Sequence, residues 1–248
     1  MRKLNAQNIL KKSVIDLMKI KGAPMKKFIL AHLLVIILNS WWWTVIQRNF
    51  WVGLLVFVLS FVAFIYFWQN KSRKLFLLLL TLTTVLFFIT VRKAFDESIF
   101  RNSALDIQQY NKRHEFYAND LGKIYKNKFT LTYFKEYNLP ITKLQSNFFV
   151  NLDPNLYFFE SHPRERLGVE EFKKYSPIFL PFFLVGIIFS IYVLSLDILI
   201  YSISIMIISS IISPSYNLGP ILFFPVVNYL ITIGIILILK RVRYFKRA

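Results

Sequence analysis

Long stretches without Lys, Arg, Asp or Glu decide what this chain can become. Residues 28–46 and 50–68 are two such runs of 19 residues each. As helices they reach about 28 Å, close to the thickness of a bilayer's hydrocarbon core. Residues 75–91 form a third run, and residues 177–239 a long fourth one, broken only by Asp197 and by the turn-rich Pro214-Ser-Tyr-Asn-Leu-Gly-Pro220. The composition agrees: 56% of the chain is hydrophobic, above the ~45–50% of soluble domains.

A central Asp is costly in a membrane helix and comfortable at its end, where it caps the next helix. Dividing the long run at Asp197 and at the Pro/Gly turn predicts spans at 177–196, 198–216 and 220–239. The expected fold is therefore an all-α transmembrane bundle of six helices, three before and three after an inserted domain. The fifth span is the weakest, because only 16 residues, 198–213, precede the turn; the competing reading is a re-entrant segment. The domain boundaries that follow are a basic amphipathic N-terminal segment (1–27), helices one to three (28–93), an inserted domain (94–175), helices four to six (176–239) and a basic tail (240–248).

Charge placement supplies an orientation. The formal charge of +18 would point to nucleic acid in a soluble protein, but here it concentrates at span ends and no groove-reading motif is present. With six spans the N-terminal segment, the 69–74 loop and the tail share one side and carry 16 basic residues. The positive-inside rule makes that side cytoplasmic, with both termini inside. Residues 94–175 then lie outside, with 12 basic and 11 acidic residues in near balance. The expected location is the plasma membrane, and the richness in Lys, Ile, Asn and Phe fits an AT-rich genome and so a bacterium. Within residues 4–20, Leu10, Val14, Leu17 and Met18 recur at helical spacing, as in an interfacial helix on anionic lipid.

The inserted domain is expected to be α+β. Ser103-Ala-Leu-Asp106 reads as a capping box opening an amphipathic helix of about 20 residues, with Ile107, Tyr110, His114, Tyr117, Leu121 and Ile124 on its seam. Phe129, Leu131 and Tyr133 alternate with Thr130 and Thr132, which predicts a strand ended at Asn138-Leu-Pro140. Asp153-Pro154-Asn155 predicts a turn within an aromatic stretch. Some 80 residues without a disulfide is close to the smallest self-supporting core, so the domain is expected to lean on the membrane or on a partner.

The densest polar constellation runs from Glu160 through His162, Arg164, Glu165 and Arg166 to Glu171. Arg164 and Arg166 can fork a phosphate or carboxylate, and His162 with Glu165 or Asp153 can perform acid/base work. The competing reading is a salt-bridge cluster that fixes the domain to the membrane. His32, one turn into the first span, is an intramembrane polar candidate, set against a neutral, hydrogen-bonded core histidine. Trp41-Trp42-Trp43 is expected in the aromatic belt. The chain has no cysteine, which removes disulfides, thiolate zinc sites and cysteine nucleophiles, and the common nucleotide-binding and hydrolase motifs are missing. No metal and no cofactor are expected. The spans hold no buried charge pathway and no GxxxG.

Together these features predict a non-catalytic scaffold or accessory subunit of an envelope assembly. Its external domain would bind a protein partner, a second copy or anionic membrane lipid, and no nucleic acid. The alternatives are an outer-leaflet enzyme acting on a lipid or lipid-linked substrate, and a small-molecule transporter or channel.

Overall fold

The computed structural model describes residues 25–68, 72–120, 128–133, 137–159, 174–192, 196–214 and 218–245. Among them the architecture is helical, with one isolated antiparallel bridge between Ser98 and Ile212. The elements are α1 (Met25–Ile37), α2 (Ser40–Arg48), α3 (Phe50–Trp68), α4 (Arg73–Lys93), α5 (Ala104–Asp120), α6 (Lys128–Thr132), α7 (Asn138–Leu152), α8 (Asn155–Phe158), α9 (Leu180–Tyr192), α10 (Leu196–Ser209) and α11 (Phe224–Phe245). Among the described residues three helical segments are each long and apolar enough to cross a membrane, α3, α4 and Ile221–Leu239, which contains most of α11, and the bent pair Phe28–Ile37 and Ser40–Arg48 is so only when taken together. The expected N-terminal interfacial helix lies outside the described residues.

In hydrocarbon every backbone N–H and C=O must be satisfied internally, so the uncharged run of α3 can only be helical. The Ser72 hydroxyl caps α4 by accepting from the Leu75 amide (3.2 Å), and Arg92 and Lys93 in its last turn complement the helix dipole. Thr81, Thr83, Thr84 and Thr90 return their hydroxyls to carbonyls one turn back, which keeps four polar groups compatible with an apolar helix.

The first expected span is not one helix. α1 and α2 are bent by 61° around Leu38 and Asn39. Asn39 is extended, and its side-chain carbonyl accepts the Trp41 amide at 2.8 Å, so it caps α2 and stops α1 at once. Asn49 repeats the device: its amide closes α2 on Val45, and its side chain accepts from Val52 at the start of α3.

The central element is α11, whose spanning window is 83% buried against 22% for α4. It packs against α9, α3 and α1, and it meets α9 backbone to backbone. A Cβ on Gly186 would sit 2.0 Å from the Leu230 carbonyl oxygen, and one on Gly234 would sit 1.9 Å from that of Phe182. The two backbones therefore touch through reciprocal glycines. Gly186 faces Leu230 while Gly234 faces Phe182, so the helices are antiparallel where they meet. Three successive complete crossings would leave the first and third parallel, so six full spans do not fit. α10, at 14 residues, reaches only about 21 Å.

The expected α+β domain is also corrected. Residues 128–132 are the short helix α6, and Asn138 and Pro140, placed at the end of a strand by the sequence, open α7. Alternation over five residues does not separate a strand from one turn and a half of helix, and proline is tolerated in a first turn. The capping box of α5 forms as anticipated: Asp106 accepts from the Ser103 amide (2.9 Å), and the Asp106 amide donates to the Ser103 hydroxyl (3.1 Å).

Replacing Gly186 or Gly234 by Ala is expected to lower stability by about 1–3 kcal/mol through forced separation of α9 and α11. Ile188→Ala, at an outward-facing position of the same helix, is expected to cost less than about 0.5 kcal/mol. Thermal unfolding of the purified protein in detergent compares them, and equal effects at the three positions would refute the backbone contact.

Candidate functional site

Among the described residues, hydrogen bonds hold the inserted segment to the bundle at two places. At the first, the amide of Ile99 donates to the Ile211 carbonyl (2.9 Å) and that of Ser213 to the Glu97 carbonyl (3.0 Å). Just beyond, the side-chain amides of Asn147 and Asn151 on α7 donate to Ser210, to its carbonyl at 2.9 Å and its hydroxyl at 3.2 Å. These bonds tie the segment after α4 and the face of α7 to the end of α10.

At the second place, the bend at Asn39 turns Trp41 inward. Its amide and the Ser40 hydroxyl both donate to the Lys174 carbonyl (3.0 and 2.9 Å), and its indole N–H donates to the Leu218 carbonyl (2.8 Å). The ring meets Phe224 and Tyr175 edge-on, with centroids 5.4 and 5.9 Å away, and Tyr157 at 6.1 Å. The Lys174 ammonium lies 5.9 Å from the Trp41 ring and donates to the Leu156 carbonyl at 3.0 Å. Gly219 is required beside it: its φ is +63°, and a Cβ there would come within 2.8 Å of the Lys174 Cε.

Tyr157 and Tyr175 complete the hub. The Tyr157 hydroxyl donates to the Asn151 carbonyl (2.8 Å), the Tyr175 amide to the Tyr157 carbonyl (2.8 Å) and the Tyr175 hydroxyl to Asn228 on α11 (3.1 Å). Burial pushes both hydroxyls well above the ordinary tyrosine value, so they remain protonated donors and are unsuited to acid/base exchange. The side-chain N–H2 group of Asn228 has no hydrogen-bond partner among the described residues. Of the three tryptophans expected in a belt, Trp41 is fully buried, Trp42 is half-buried and donates to the Gly53 carbonyl, and only Trp43 is exposed.

His162, Arg164, Glu165 and Arg166 lie outside the described residues. Asp153 is exposed at the end of α7, where its carboxylate accepts the Asn155 amide (2.9 Å) in the expected turn. His32 is fully buried where α1, α3 and α11 meet. Its Nδ1 is 2.9 Å from the Thr232 hydroxyl, and its Nε2 is 3.1 Å from the Ser60 hydroxyl and 3.2 Å from the Ser60 carbonyl. Thr232 gives its own proton to the Asn228 carbonyl, which leaves it as the acceptor for Nδ1–H and leaves Nε2 to accept from Ser60. The ring also stacks on Phe64 at 4.5 Å. His114 is half-buried, 6.2 Å from Tyr110. Among the described residues no cluster of three or more acidic or histidine side chains could hold a metal.

The rest of the inserted segment is partly polar and partly apolar. Lys143 of α7 reaches Asp106 at 2.7 Å and the Arg101 carbonyl at 2.9 Å, joining α7 to the start of α5. Burial alone would raise the Asp106 carboxyl, but Lys143 and the two Ser103 donors outweigh it and hold the group below its ordinary value. Phe100, Leu105 and Phe149 remain more than 60% exposed, so the described part of this segment keeps apolar surface on display.

Sequence reasoning missed Trp41, Lys174 and Tyr175 as a unit. The only available signals were an Asn inside an apolar run and a Lys-Tyr pair just before a span.

Trp41→Phe keeps a ring but strands the Leu218 carbonyl, and is expected to cost about 1–3 kcal/mol; Trp41→Ala is expected to cost about 3–5 kcal/mol. Trp43→Phe gives up the exposed indole bond to the Ile37 carbonyl (2.8 Å) and should cost less than Trp41→Phe, because water can replace that donor. Chemical denaturation followed by tryptophan fluorescence measures all three. A depressed carboxyl contributes stability above its unfolded pKa and loses it as pH falls through the folded value, so order at the start of α5 should decline only below about pH 4. Hydrogen exchange of α5 amides tests this, and Asp106→Asn should abolish that pH dependence.

No known protein family, no curated protein and no solved structure matches this chain.

Proposed function

We propose that the chain is a non-catalytic membrane protein, a scaffold or accessory subunit of an envelope assembly, whose inserted segment binds a protein partner. The observation that supports this reading most is the combination of firm attachment and unspent apolar surface. Hydrogen bonds at Ser210, Ile211 and Lys174 hold the segment to the bundle, while Phe100, Leu105 and Phe149 stay exposed. Aromatic residues displayed on an anchored support are the usual anchors of a protein interface.

Anionic lipid is the alternative ligand, and the membrane surface would then meet the same residues together with Arg164 and Arg166. The enzyme reading rests on His162 and Glu165 and draws no support from Asp153, whose carboxylate is engaged in a turn. The transporter reading draws none from the spans, where His32, Ser60, Thr83 and Thr232 are spent in bonds between or along helices. In this proposal the protein lies in a bacterial plasma membrane with residues 94–175 outside.

Because the chain has no cysteine, single introduced thiols report both orientation and partnership. Ser146→Cys is expected to react with a membrane-impermeant maleimide in intact cells, and Lys74→Cys only after lysis; the reverse pattern would overturn the orientation. Crosslinking in the native membrane is expected to recover one stoichiometric protein. Phe100→Glu and Phe149→Glu should each reduce that recovery about tenfold or more. Recovery unchanged by both, or lipid as the only adduct, would refute the scaffold reading.

A further inference from the structure

Beside the hub, α9, α10 and α11 and the corner between α7 and α8 line a cavity of about 350 Å³ that is open to the outside along one side. That volume falls within the range of small-molecule sites. Its walls are aliphatic and aromatic, with Ile187, Ile203 and Val226 among them, one from each of the three helices. An apolar cavity of this kind is not filled by water, and three apolar helices in a bilayer offer it hydrocarbon instead. Besides the Tyr157 hydroxyl, already engaged with the Asn151 carbonyl, the polar side chains of its lining are Ser190, Ser202 and Asn151.

Asn151 carries the second observation. The residue is 1% exposed, its side-chain N–H2 donates to the Ser210 hydroxyl and its backbone carbonyl accepts from Tyr157. Its side-chain oxygen, Oδ1, has no hydrogen-bond partner among the described residues, although the residue lines the cavity. A buried amide oxygen calls for a donor, and the walls around it call for a hydrocarbon chain.

We infer that this cavity binds a long-chain amphiphile bearing a hydroxyl or amide hydrogen, with the chain between α9 and α10 and the donor on Asn151 Oδ1. A purely hydrocarbon tail, or a chain ending in an ether or ester, satisfies the walls and leaves the oxygen unpaired. The site is separate from the exposed face of the inserted segment, so a partner there and an amphiphile here can each fail alone.

The test uses the full chain purified in detergent and a diazirine-bearing hexadecanol as photoreactive probe, with labelled peptides mapped by mass spectrometry. Saturable labelling is expected in the part of α10 that holds Leu199, Ile203 and Met206. Unlabelled hexadecanol should compete about tenfold better than hexadecyl methyl ether, which has the same chain and no donor, the difference one hydrogen bond makes. Asn151→Leu should bring the alcohol down to the level of the ether. Ile203→Trp, which fills the cavity from an outward-facing position, should abolish labelling by the probe while the protein keeps its thermal midpoint. Hexadecanamide in parallel separates the two donor classes, the stronger competitor naming the class. Equal competition by alcohol and ether in the unaltered protein would overturn the proposal. So would labelling that fails to saturate, as expected at the outward-facing Leu54 and Val58. Neither outcome depends on whether Asn151→Leu folds.

Discussion

Helices in a bilayer gain little from burying apolar side chains against one another, because the lipid they leave is just as apolar; association depends on how closely the backbones approach. Gly186 and Gly234 permit that approach here, each lying against a carbonyl of the opposite helix. The contact fixes α11, and the positions of the other central groups follow. Along one face of α11, at successive turns, Thr232 meets His32, Asn228 meets the Tyr175 hydroxyl and Phe224 packs on Trp41. These bonds tolerate displacements of only a few tenths of an ångström. A shift of α11 would therefore be felt in α1, in α3 and in the segment leading to α9 together.

The break at Asn39 has a comparable reach. A straight helix over residues 28–46 would present Trp41, Trp42 and Trp43 around its circumference at the membrane boundary. Capping by Asn39 turns the second half by 61° and buries Trp41 against Tyr157, Tyr175 and Phe224. The core of the inserted segment is thus continuous with that of the bundle. This explains how the described part of the inserted segment is held without disulfides: Tyr157, Phe158 and Tyr175 are buried among side chains that α2, α9 and α11 supply.

What could be read from the sequence follows the range of the forces involved. The boundaries of α3 were legible because an uncharged run in lipid has one solution. The Ser103/Asp106 capping box and the Asp153-Pro154-Asn155 turn were legible because their donors and acceptors lie within three residues. Asp197 was placed at a helix boundary by its charge, and it lies in the first turn of α10. The Asn39 break was not legible: an Asn in an apolar run can equally bond across helices, and the choice depends on what receives Trp41 after the bend. Gly186 and Gly234 are single glycines on separate helices, without the repeat that would announce a contact face. Their antiparallel pairing, which rules out three full crossings after residue 176, is a property of the pair alone. Residues 129–133 failed for a different reason, since five residues carry too little periodicity. Of the candidate site residues, His32 and Asp153 can be followed into the structure, one as a junction of three helices and the other as a turn.

His32 and Asn151 show how the same requirement has opposite consequences. Each is a polar side chain among apolar neighbours, and each must be matched or remain a standing cost. At His32 the match is internal: Ser60 and Thr232 take both ring nitrogens, and Phe64 covers the face. A group matched in this way holds helices together and has nothing left to offer a ligand. At Asn151 only half of the side chain is matched, through Ser210, and the other half belongs to a residue that borders an apolar cavity. Packing alone would favour a Leu there. An amide with one arm bound to α10 and the other unspent is better suited to hold a molecule from the surrounding membrane than to hold the fold. A buried amide oxygen left unmatched on a residue that borders an apolar cavity is therefore where binding is most directly read.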